Sequence, residues 1–389
     1  CSCPPCPSCR LLFGLARPLH LQVPIPAAYP PRGCAHHGAF NAHQAVTGVK
    51  VGFYRRSAMR GEFIIEGVTM QGSRFRVLLL VLSLAVFSQA SQSAPYQITV
   101  LATNISDYGG LGEWSFAALF KGEQDAVLFD TGFKEDTVLH NVLHLGVDLS
   151  GVEKVVLSHF HSDHTGGLLI LRNHFRATNV AALSQVYVAA GFFDQRATAT
   201  GVEVGPGDFA SAQDFKAAAE ALGINFTVVT EPTEIAPKLW LTGPVPRVEE
   251  HYNGPAGLFI NRNGASIPDI IMDDQSLGYL TDKGWLMTSG CGHSGLINTG
   301  KVLQSIKDEP IYSIVGGFHL WQADNETLDR TANWLEEQGL GLMMGGHCTG
   351  IAAAETIASQ LQLPRSHISH AAIGSVITPE LTIIRSSVE

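Results

Sequence analysis

Apolar and polar positions follow one repeating order through much of the chain. A short apolar segment of strand length leads into a polar cluster with glycines, and a segment of helical periodicity often follows. The apolar segments with this order are 126–129, 154–157, 285–288, 311–315 and 342–344. Short strands that alternate with helices are typical of an α/β protein, in which side chains at strand ends converge on one edge. The pattern therefore predicts an α/β domain with a shared site at that edge.

Helical periodicity and capping residues predict where the intervening helices lie. The predicted helices cover 137–145, a run from the 289–295 cluster to about 306, and 211–222, 325–338 and 351–361. Ser211 is suited to cap the start of its helix, and Gly146 stands where a helix would end. The region 224–271 is rich in Gly and Pro, which predicts loops and short strands near the mouth of the site.

The first 69 residues differ from the rest. Prolines interrupt any periodicity there, and five of the seven cysteines fall in this segment: Cys1, Cys3, Cys6, Cys9 and Cys34. We expect residues 1–69 to be disordered. The cysteine spacing also allows a zinc knuckle, but no apolar core surrounds it. Because the chain opens on Cys1 and Met70 is a suitable start, the simplest interpretation is that residues 1–69 are upstream sequence translated in error.

Residues 70–94 carry the pattern of a secretory signal peptide. A short basic segment begins at Met70, an apolar run covers 77–87, and small residues then offer cleavage after Ala90 or Ala94. The run is too short to span a bilayer, so no stable membrane insertion is expected after cleavage. We therefore expect a domain over 95–389 that is exported, to the periplasm or beyond. Two alternatives are a start at Met59 and a buried N-terminal helix.

Charge and cysteine content narrow the class of partner. The net charge of −10 argues against a nucleic-acid partner, because neutralising phosphates requires a basic face. Residues 95–389 keep two cysteines, Cys291 and Cys348, so a disulfide framework does not hold this domain together. A small-molecule substrate is the remaining expectation, and the oligomeric state is left open.

The segment after the 154–157 strand contains a dense group of side chains that can bind a metal. His159, His161, Asp163 and His164 place three imidazoles and a carboxylate within a single turn. These are the donors that bind Zn²⁺, Fe or Mn, and a turn at a strand end can direct alternate side chains at one ion. The cluster therefore predicts a metal site.

Isolated polar residues after other strands extend this prediction. His293 and His347 each stand among glycines at a strand end, which predicts that both are metal ligands. His319 follows Gly316 and Gly317, where a ligand and a substrate contact are equally compatible with the pattern. Asp130, at the end of the 126–129 strand, is expected to orient a ligating loop rather than to bind the ion itself.

These motifs resemble the metallo-β-lactamase superfamily. His-x-His-x-Asp-His after a buried strand, an earlier Asp-Thr-Gly and later isolated histidines carry the resemblance. Four segments are similar to the branch of 7,8-dihydropterin-6-methyl-4-(β-D-ribofuranosyl)aminobenzene 5′-phosphate synthase-like proteins, and they are 128–132, 290–298, 316–320 and 347–350. The similarity spans most of residues 96–385.

The resemblance implies a four-layer αββα sandwich of two mixed sheets, with one or two divalent ions at one edge. Zn²⁺ is the first expectation, and Fe and Mn are alternatives. By motif position, one ion would be held by His159, His161 and His293, and a second by Asp163, His164 and His347. The superfamily usually has a bridging aspartate after a late strand, where this chain has Cys291. A Cys291 thiolate, the carboxylate of Asp274, or a site for a single ion would each account for the difference.

The resemblance also implies a reaction class, metal-dependent hydrolysis of an ester, lactone, amide or phosphoester, with Asp163 orienting the nucleophile. Three alternatives stay open: group transfer of the synthase type, iron-dependent oxidation of a thiol or persulfide, and a metal-stabilised binding protein without turnover. A Cys–His nucleophile, built from Cys291 with His293 or Cys348 with His347, is a further alternative.

Overall fold

The computed structural model describes residues 96–122, 125–250, 257–262 and 264–388. All of them belong to the second of two compact units, Arg76–Glu389. The predictions for residues 1–94, including the signal peptide, lie outside the described residues and stay predictions.

The described residues form strands and helices in alternation. The strands are β1 (Gln97–Ala102), β2 (Ala117–Lys121), β3 (Ala126–Phe129), β4 (Lys154–Val156), β5 (Gln185–Ala189), β6 (Arg196–Thr198), β7 (Glu203–Val204), β8 (Asn225–Val229), β9 (Thr233–Ala236), β10 (Leu239–Leu241), β11 (Leu258–Arg262), β12 (Ala265–Pro268), β13 (Leu277–Thr281), β14 (Gly284–Ser289), β15 (Ile311–Gly316), β16 (Leu342–Gly345), β17 (Ile368–His370), β18 (Val376–Ile377) and β19 (Ile383–Ile384). The helices are α1 (Thr137–Leu145), α2 (Ser162–Thr165), α3 (Leu168–Phe175), α4 (Ala212–Ala221), α5 (Leu296–Ile306), α6 (Asn325–Glu337) and α7 (Ile351–Gln360), with 3-10 turns at His347–Thr349 and Arg365–His367.

Two large mixed sheets and one small sheet organise these strands. The first has eight strands in the order β19-β18-β1-β2-β3-β4-β5-β8, and the second has seven in the order β17-β16-β15-β14-β13-β10-β9. Strands β3, β4, β5 and β8 run parallel in the first sheet, as do β14 to β17 in the second. The small sheet has the order β12-β11-β6-β7.

The two large sheets share a core because their strands are apolar on both faces. Successive side chains of a strand point to opposite faces. In β3, Val127 and Phe129 join a core with Leu286 and Met344 of the second sheet. Leu128, between them, faces the other way and packs in a core with residues of α1 and α3.

Helices cover the outer faces of both sheets. Apolar residues of α1, α3 and α4 pack on the first sheet, and those of α5, α6 and α7 pack on the second. The order of layers is therefore helix, sheet, sheet, helix, which confirms the predicted αββα sandwich.

Several predicted boundaries agree with the structure. Helix α1 has the predicted bounds and ends at Gly146 in the left-handed conformation with φ 67°. Ser211 caps α4 by accepting a hydrogen bond from the Asp214 backbone N–H. The region 224–271 contains the short strands β8 to β12 and loops in its described part. Among the described residues, no helix has the length and apolar content needed to cross a bilayer.

Candidate metal centre

The candidate site lies where loops leave the carboxyl ends of parallel strands in both large sheets. The loops after β3 and β4 come from the first sheet, and those after β14, β15 and β16 come from the second. Since parallel strands end at the same edge, residues far apart in sequence meet there. The sandwich therefore brings together the side chains that follow these five strands.

Three histidines form a first group of donors. The ligand atoms of His159, His161 and His293 lie within 4.8 Å of one another. His159 Nε2 is 2.8 Å from His161 Nδ1, and the His293 ring centroid is 4.7 Å from that of His159. Burial lowers the pKa of His159 and of His293, and it lowers the pKa of His161 to about 4. All three imidazoles are therefore neutral near pH 7, which is the form that binds a metal.

A second group adjoins the first and contains Asp163, His164, Cys291 and His347, whose ligand atoms also lie within 4.8 Å of one another. The Cys291 sulfur is 3.2 Å from Nε2 of His164 and 3.2 Å from Nε2 of His347. The Asp163 carboxylate is 3.7 Å from His164 Nε2 and 3.4 Å from His347 Nε2. Cys291 thus stands among the donors where the superfamily usually has an aspartate.

Charge is concentrated in this second group. Burial raises the pKa of the Asp163 carboxyl, but the His164 and His347 imidazoles outweigh burial, so that the pKa lies below its usual range. For His347 the effects have the opposite sign. Burial lowers the pKa of its imidazole, but the Cys348 thiolate and the Asp163 carboxylate outweigh burial and raise this pKa to about 10. In the metal-free protein, a proton on His347 therefore balances the negative charge of its neighbours.

Asp130 lies behind His164. Its carboxylate accepts hydrogen bonds from the Ser158 backbone N–H at 2.7 Å and the Ser158 hydroxyl at 2.8 Å, and it is 2.7 Å from His164 Nδ1. This leaves His164 Nε2 directed at Cys291. A carboxylate on the far nitrogen of a ligating histidine orients the ring and fixes its tautomer. The role of Asp130 in orienting a ligand stays a prediction, and this position suits it.

Asp274 does not join either group. Its Oδ2 atom accepts a hydrogen bond from the Ser294 backbone N–H at 2.7 Å, and burial raises the pKa of its carboxyl. The side chain supports the loop that carries His293, and Asp274 as a ligand stays a prediction. The sequence does not indicate that Asp273 and Asp274, although adjacent, support two different loops.

Asp273 and Arg196 support the His159 loop, a role that the sequence does not indicate. Asp273 accepts a hydrogen bond from the Phe160 backbone N–H at 2.8 Å and pairs with Arg196 at 2.6 Å. The Arg196 guanidinium also pairs with Asp269 at 2.8 Å and lies 3.6 Å from the centre of the Phe160 ring. All these groups are buried. The network reaches from the small sheet to the loop between His159 and His161.

His319 and Cys348 form a third group of donors with Cys291, again within 4.8 Å of one another. The His319 ring centroid is 4.7 Å from that of His293. The sequence suggested His319 as a ligand or a substrate contact, but it suggested Cys348 only as an alternative nucleophile. Only the tertiary structure brings the two cysteines together.

The mouth of the site has an aromatic side and a polar side. Trp114 packs edge to face on His347 at 5.0 Å and on Trp321 at 5.5 Å, and the two indoles are 46% and 47% exposed. On the other side, a cleft of about 430 Å³ is lined by His319, Glu250 and Arg330, among others. His319 therefore faces a cleft large enough for a small molecule.

The donor atoms fit a metal centre. Within the described part of the chain, His161 Nε2 and His347 Nδ1 are buried and make no hydrogen bond. A buried polar atom without a partner is costly, whereas an imidazole nitrogen bound to an ion is satisfied. Neutral histidines, a carboxylate and a thiol are also the ligand set of Zn²⁺ and of similar ions.

The fold and the site agree with the known proteins that this chain matches. The sequence model of the metallo-beta-lactamase superfamily matches residues 115–299. The αββα sandwich and the histidine motif are those of the metallo-beta-lactamase superfamily, which this part of the chain matches.

One of the relatives carries the name of the branch that the sequence motifs resemble. The chain is 29% identical over 240 residues to the 7,8-dihydropterin-6-methyl-4-(beta-D-ribofuranosyl)-aminobenzene-5'-phosphate synthase of Methanocaldococcus jannaschii, which spans 60% of this chain and 78% of that protein. An uncharacterised protein of the same organism is 29% identical over 275 residues, spanning 70% of this chain and 97% of that protein. The solved structure of Tm1679, a metal-dependent hydrolase of the beta-lactamase superfamily, is 28% identical with a TM-score of 0.59, and the match covers 73% of this chain and 98% of that one.

Proposed function

We propose that this protein is a metal-dependent hydrolase that acts on an ester, lactone, amide or phosphoester. The observation that carries the proposal is the adjacency of the two donor groups, His159/His161/His293 and Asp163/His164/Cys291/His347, at one open edge of the sandwich. The relation to a structure described as a metal-dependent hydrolase supports it.

Divalent cations bound there would supply the nucleophile by lowering the pKa of water from about 15.7 towards about 7, and would polarise the bond that is attacked. The neutral imidazoles of the first group would hold one cation. Asp163, His164 and His347 would hold the other together with Cys291, whose thiol has a pKa raised by burial and would lose its proton on binding. We propose Zn²⁺ as the ion, because imidazole and thiol donors together suit it.

Asp163 has the position to orient the attacking group. Its side chain is 19% exposed, and its carboxylate lies beside donors of the second group. A carboxylate with a lowered pKa stays ionised near neutral pH, so it can accept a hydrogen bond from the nucleophile and orient it. Trp114 and Trp321 would exclude water from one side of the substrate.

Elemental analysis and a substrate panel test this proposal. The protein is purified without oxygen, its metal content is measured, and hydrolysis of esters, lactones, amides and phosphoesters is compared for wild type, His161→Ala and His174→Ala. His174 is an exposed histidine of α3 outside the site, so its variant controls for the loss of an imidazole. We expect His161→Ala to lose metal and activity while His174→Ala keeps both. Equal hydrolysis by wild type and His161→Ala would exclude the mechanism.

Group transfer is the second candidate, because a relative at 29% identity is named a synthase. Group transfer would use the same site, and it would give turnover only when an acceptor other than water is present. Iron in the purified protein, with oxygen uptake on a thiol or persulfide, would instead favour the oxidation reaction. Retained metal with no turnover on any of these substrates would favour a binding protein.

The proposal includes export of the domain over 95–389 after cleavage of residues 70–94. When the chain is expressed from Met70 in a bacterium, mass spectrometry of the mature protein is expected to place the new N-terminus after Ala90 or Ala94. An intact N-terminus on protein recovered from the cytoplasm would contradict export.

A further inference from the structure

His319 and Cys348 supply donors that the proposed hydrolysis does not use, and they lie beside Cys291, which it does use. Their ligand atoms lie within 4.8 Å of one another, and both cysteines are free thiols. Cys291 and Cys348 are buried, with side chains exposed by 3% and 1%. His319 and Cys348 belong to neither of the two groups described above, so they form a new set that shares Cys291 with the second group.

The loops around this set are shaped for close approach. A Cβ on Gly317 would lie 2.0 Å from the Gly290 carbonyl oxygen and 2.9 Å from the Cys348 sulfur, so only glycine lets the β15 loop reach the β14 loop. His319 has φ 51°, a left-handed conformation that is unfavourable for a residue with a Cβ. Non-glycine residues in this conformation concentrate at functional sites.

The donors are chemically soft. Two sulfurs and one imidazole favour Zn²⁺, Cd²⁺ or Cu⁺ over the hard ions Mg²⁺ and Ca²⁺, which prefer oxygen. The His319 backbone N–H donates a hydrogen bond to the Cys348 sulfur at 3.3 Å, and such a donor stabilises a thiolate. The imidazole of His319 lines the cleft of about 430 Å³, so this donor of the set can be reached from solvent.

We propose that Cys291, His319 and Cys348 form a third metal position for a thiophilic ion such as Zn²⁺, with the Cys291 thiolate bridging it to the second group. The Cys291 sulfur already lies 3.2 Å from the imidazoles of His164 and His347. Replacing a bridging aspartate by a thiolate extends the centre towards Cys348, because sulfur can bind two soft ions at once. This position goes beyond the proposed hydrolysis, which needs only the other two groups.

Cobalt titration of the metal-free protein tests the proposal, because Co²⁺ occupies zinc sites and its thiolate complexes absorb in the near ultraviolet. The full-length chain is used with Cys1, Cys3, Cys6, Cys9 and Cys34 replaced by serine, so that Cys291 and Cys348 are the only thiols present. Absorbance is followed without oxygen, and bound cobalt is counted after removal of excess ion. Cys348→Ser, His319→Gln and the exposed control His174→Gln are compared in this background.

We expect about three cobalt ions per chain in the parent and in His174→Gln, and about two in Cys348→Ser. That variant should also lose roughly two thirds of the thiolate absorbance, because it keeps one of the three Co–S bonds. His319→Gln keeps both thiols and should weaken binding of the third ion by about tenfold or more. Unchanged stoichiometry and absorbance in both Cys348→Ser and His319→Gln would overturn the proposal. If Cys348→Ser does not fold, as judged by circular dichroism, His319→Gln alone decides the outcome.

Two further results distinguish the third metal position from a disulfide and from the proposed hydrolysis. The first result concerns a disulfide. The protein could be isolated and kept under reducing conditions and still yield no free thiol on titration, with a mass lower by two hydrogens. It would then contain a Cys291–Cys348 disulfide, and the metal position would be excluded. Absence of hydrolysis together with loss of one ion in Cys348→Ser would contradict the proposed function but support the third position.

Discussion

At the residue scale, three polar residues of the site have backbone conformations that favour glycine. Asp130, His319 and His347 have φ values of 56°, 51° and 48°. Each such residue costs about 1–3 kcal/mol unless its surroundings compensate. For Asp130 the compensation is visible, because its carboxylate binds the Ser158 backbone, the Ser158 hydroxyl and His164. The conformations place donor atoms at the site at the expense of stability.

Asp130→Asn tests the role of the carboxylate without changing the backbone, because asparagine tolerates the left-handed conformation. Its amide cannot match three hydrogen-bond donors, so His164 loses its anionic partner. We expect metal affinity to fall about 10–100-fold, measured by competition with a chelator. Asp136→Asn, the same change at an exposed carboxyl, is the control. Equal affinities of the two variants would show that Asp130 does not orient His164.

His347 predicts a pH dependence of metal binding. Its pKa in the metal-free chain is about 10, because Cys348 and Asp163 outweigh burial, so it is protonated at pH 7. A metal binds only the neutral imidazole, and binding must therefore release this proton. Affinity should rise with pH between about 6 and 8, by about tenfold per unit for each proton released. Calorimetry in two buffers of different ionisation enthalpy measures the release, and an affinity independent of pH would contradict the assignment.

The sequence predicted most of these donors, because a compact His-x-His-x-Asp-His motif and histidines among glycines are distinctive. Residues that act through tertiary contacts were not predictable in the same way. Cys348 follows His347 directly, and only the 3-10 turn that carries both residues brings its sulfur towards Cys291. Asp273 and Asp274 are neighbours in sequence, yet one supports the Phe160 backbone and the other supports Ser294.

At the element scale, the site depends on loops that lie closer together than side chains normally allow. The β14 and β15 strands are parallel, and their loops meet at Gly290 and Gly317. The His159 loop is held from the opposite direction by Asp273 and Arg196. The alternation of strands and helices predicted the loops and their common edge. It did not predict the small sheet as a unit, because the pairing of β6 with β11 joins segments far apart in the chain.

Gly317→Ala tests the close approach. The added Cβ would meet the Gly290 carbonyl oxygen at 2.0 Å, and a backbone atom cannot move aside as a flexible side chain can. We expect the free energy of unfolding to fall by about 1–3 kcal/mol, measured with urea. Gly151→Ala, where nothing lies within 4 Å of the added Cβ, should leave it nearly unchanged. Similar unfolding curves for the two variants would contradict the packing described.

Arg196→Met tests the support of the His159 loop. The change leaves the buried carboxylates of Asp269 and Asp273 without their cation, and such a loss destabilises a protein by about 3–5 kcal/mol. Arg262 pairs with Asp194 near the surface, with side chains 42% and 30% exposed, so Arg262→Met should cost about 0–1 kcal/mol. Urea unfolding compares them, and an equal loss in both variants would remove the special role of Arg196.

At the scale of the whole molecule, each large sheet contributes part of the centre. The first sheet supplies His159, His161, Asp163 and His164, and the second supplies Cys291, His293, His319 and His347. Neither half of the chain therefore has a complete site. The four-layer architecture was predictable from the motifs, which resemble a known superfamily, and the periodicity alone indicated only an α/β protein with an edge site.

The central claim is that two adjacent donor groups at this edge hold metal ions. Crystals grown with Zn²⁺ and measured on both sides of the zinc absorption edge test it directly, since anomalous scattering locates the ions. We predict one peak about 2.0–2.3 Å from the donors of His159, His161 and His293, and another at a similar distance from those of Asp163, His164, Cys291 and His347. The absence of an anomalous peak at both groups, in crystals that contain zinc elsewhere or none at all, would contradict the account.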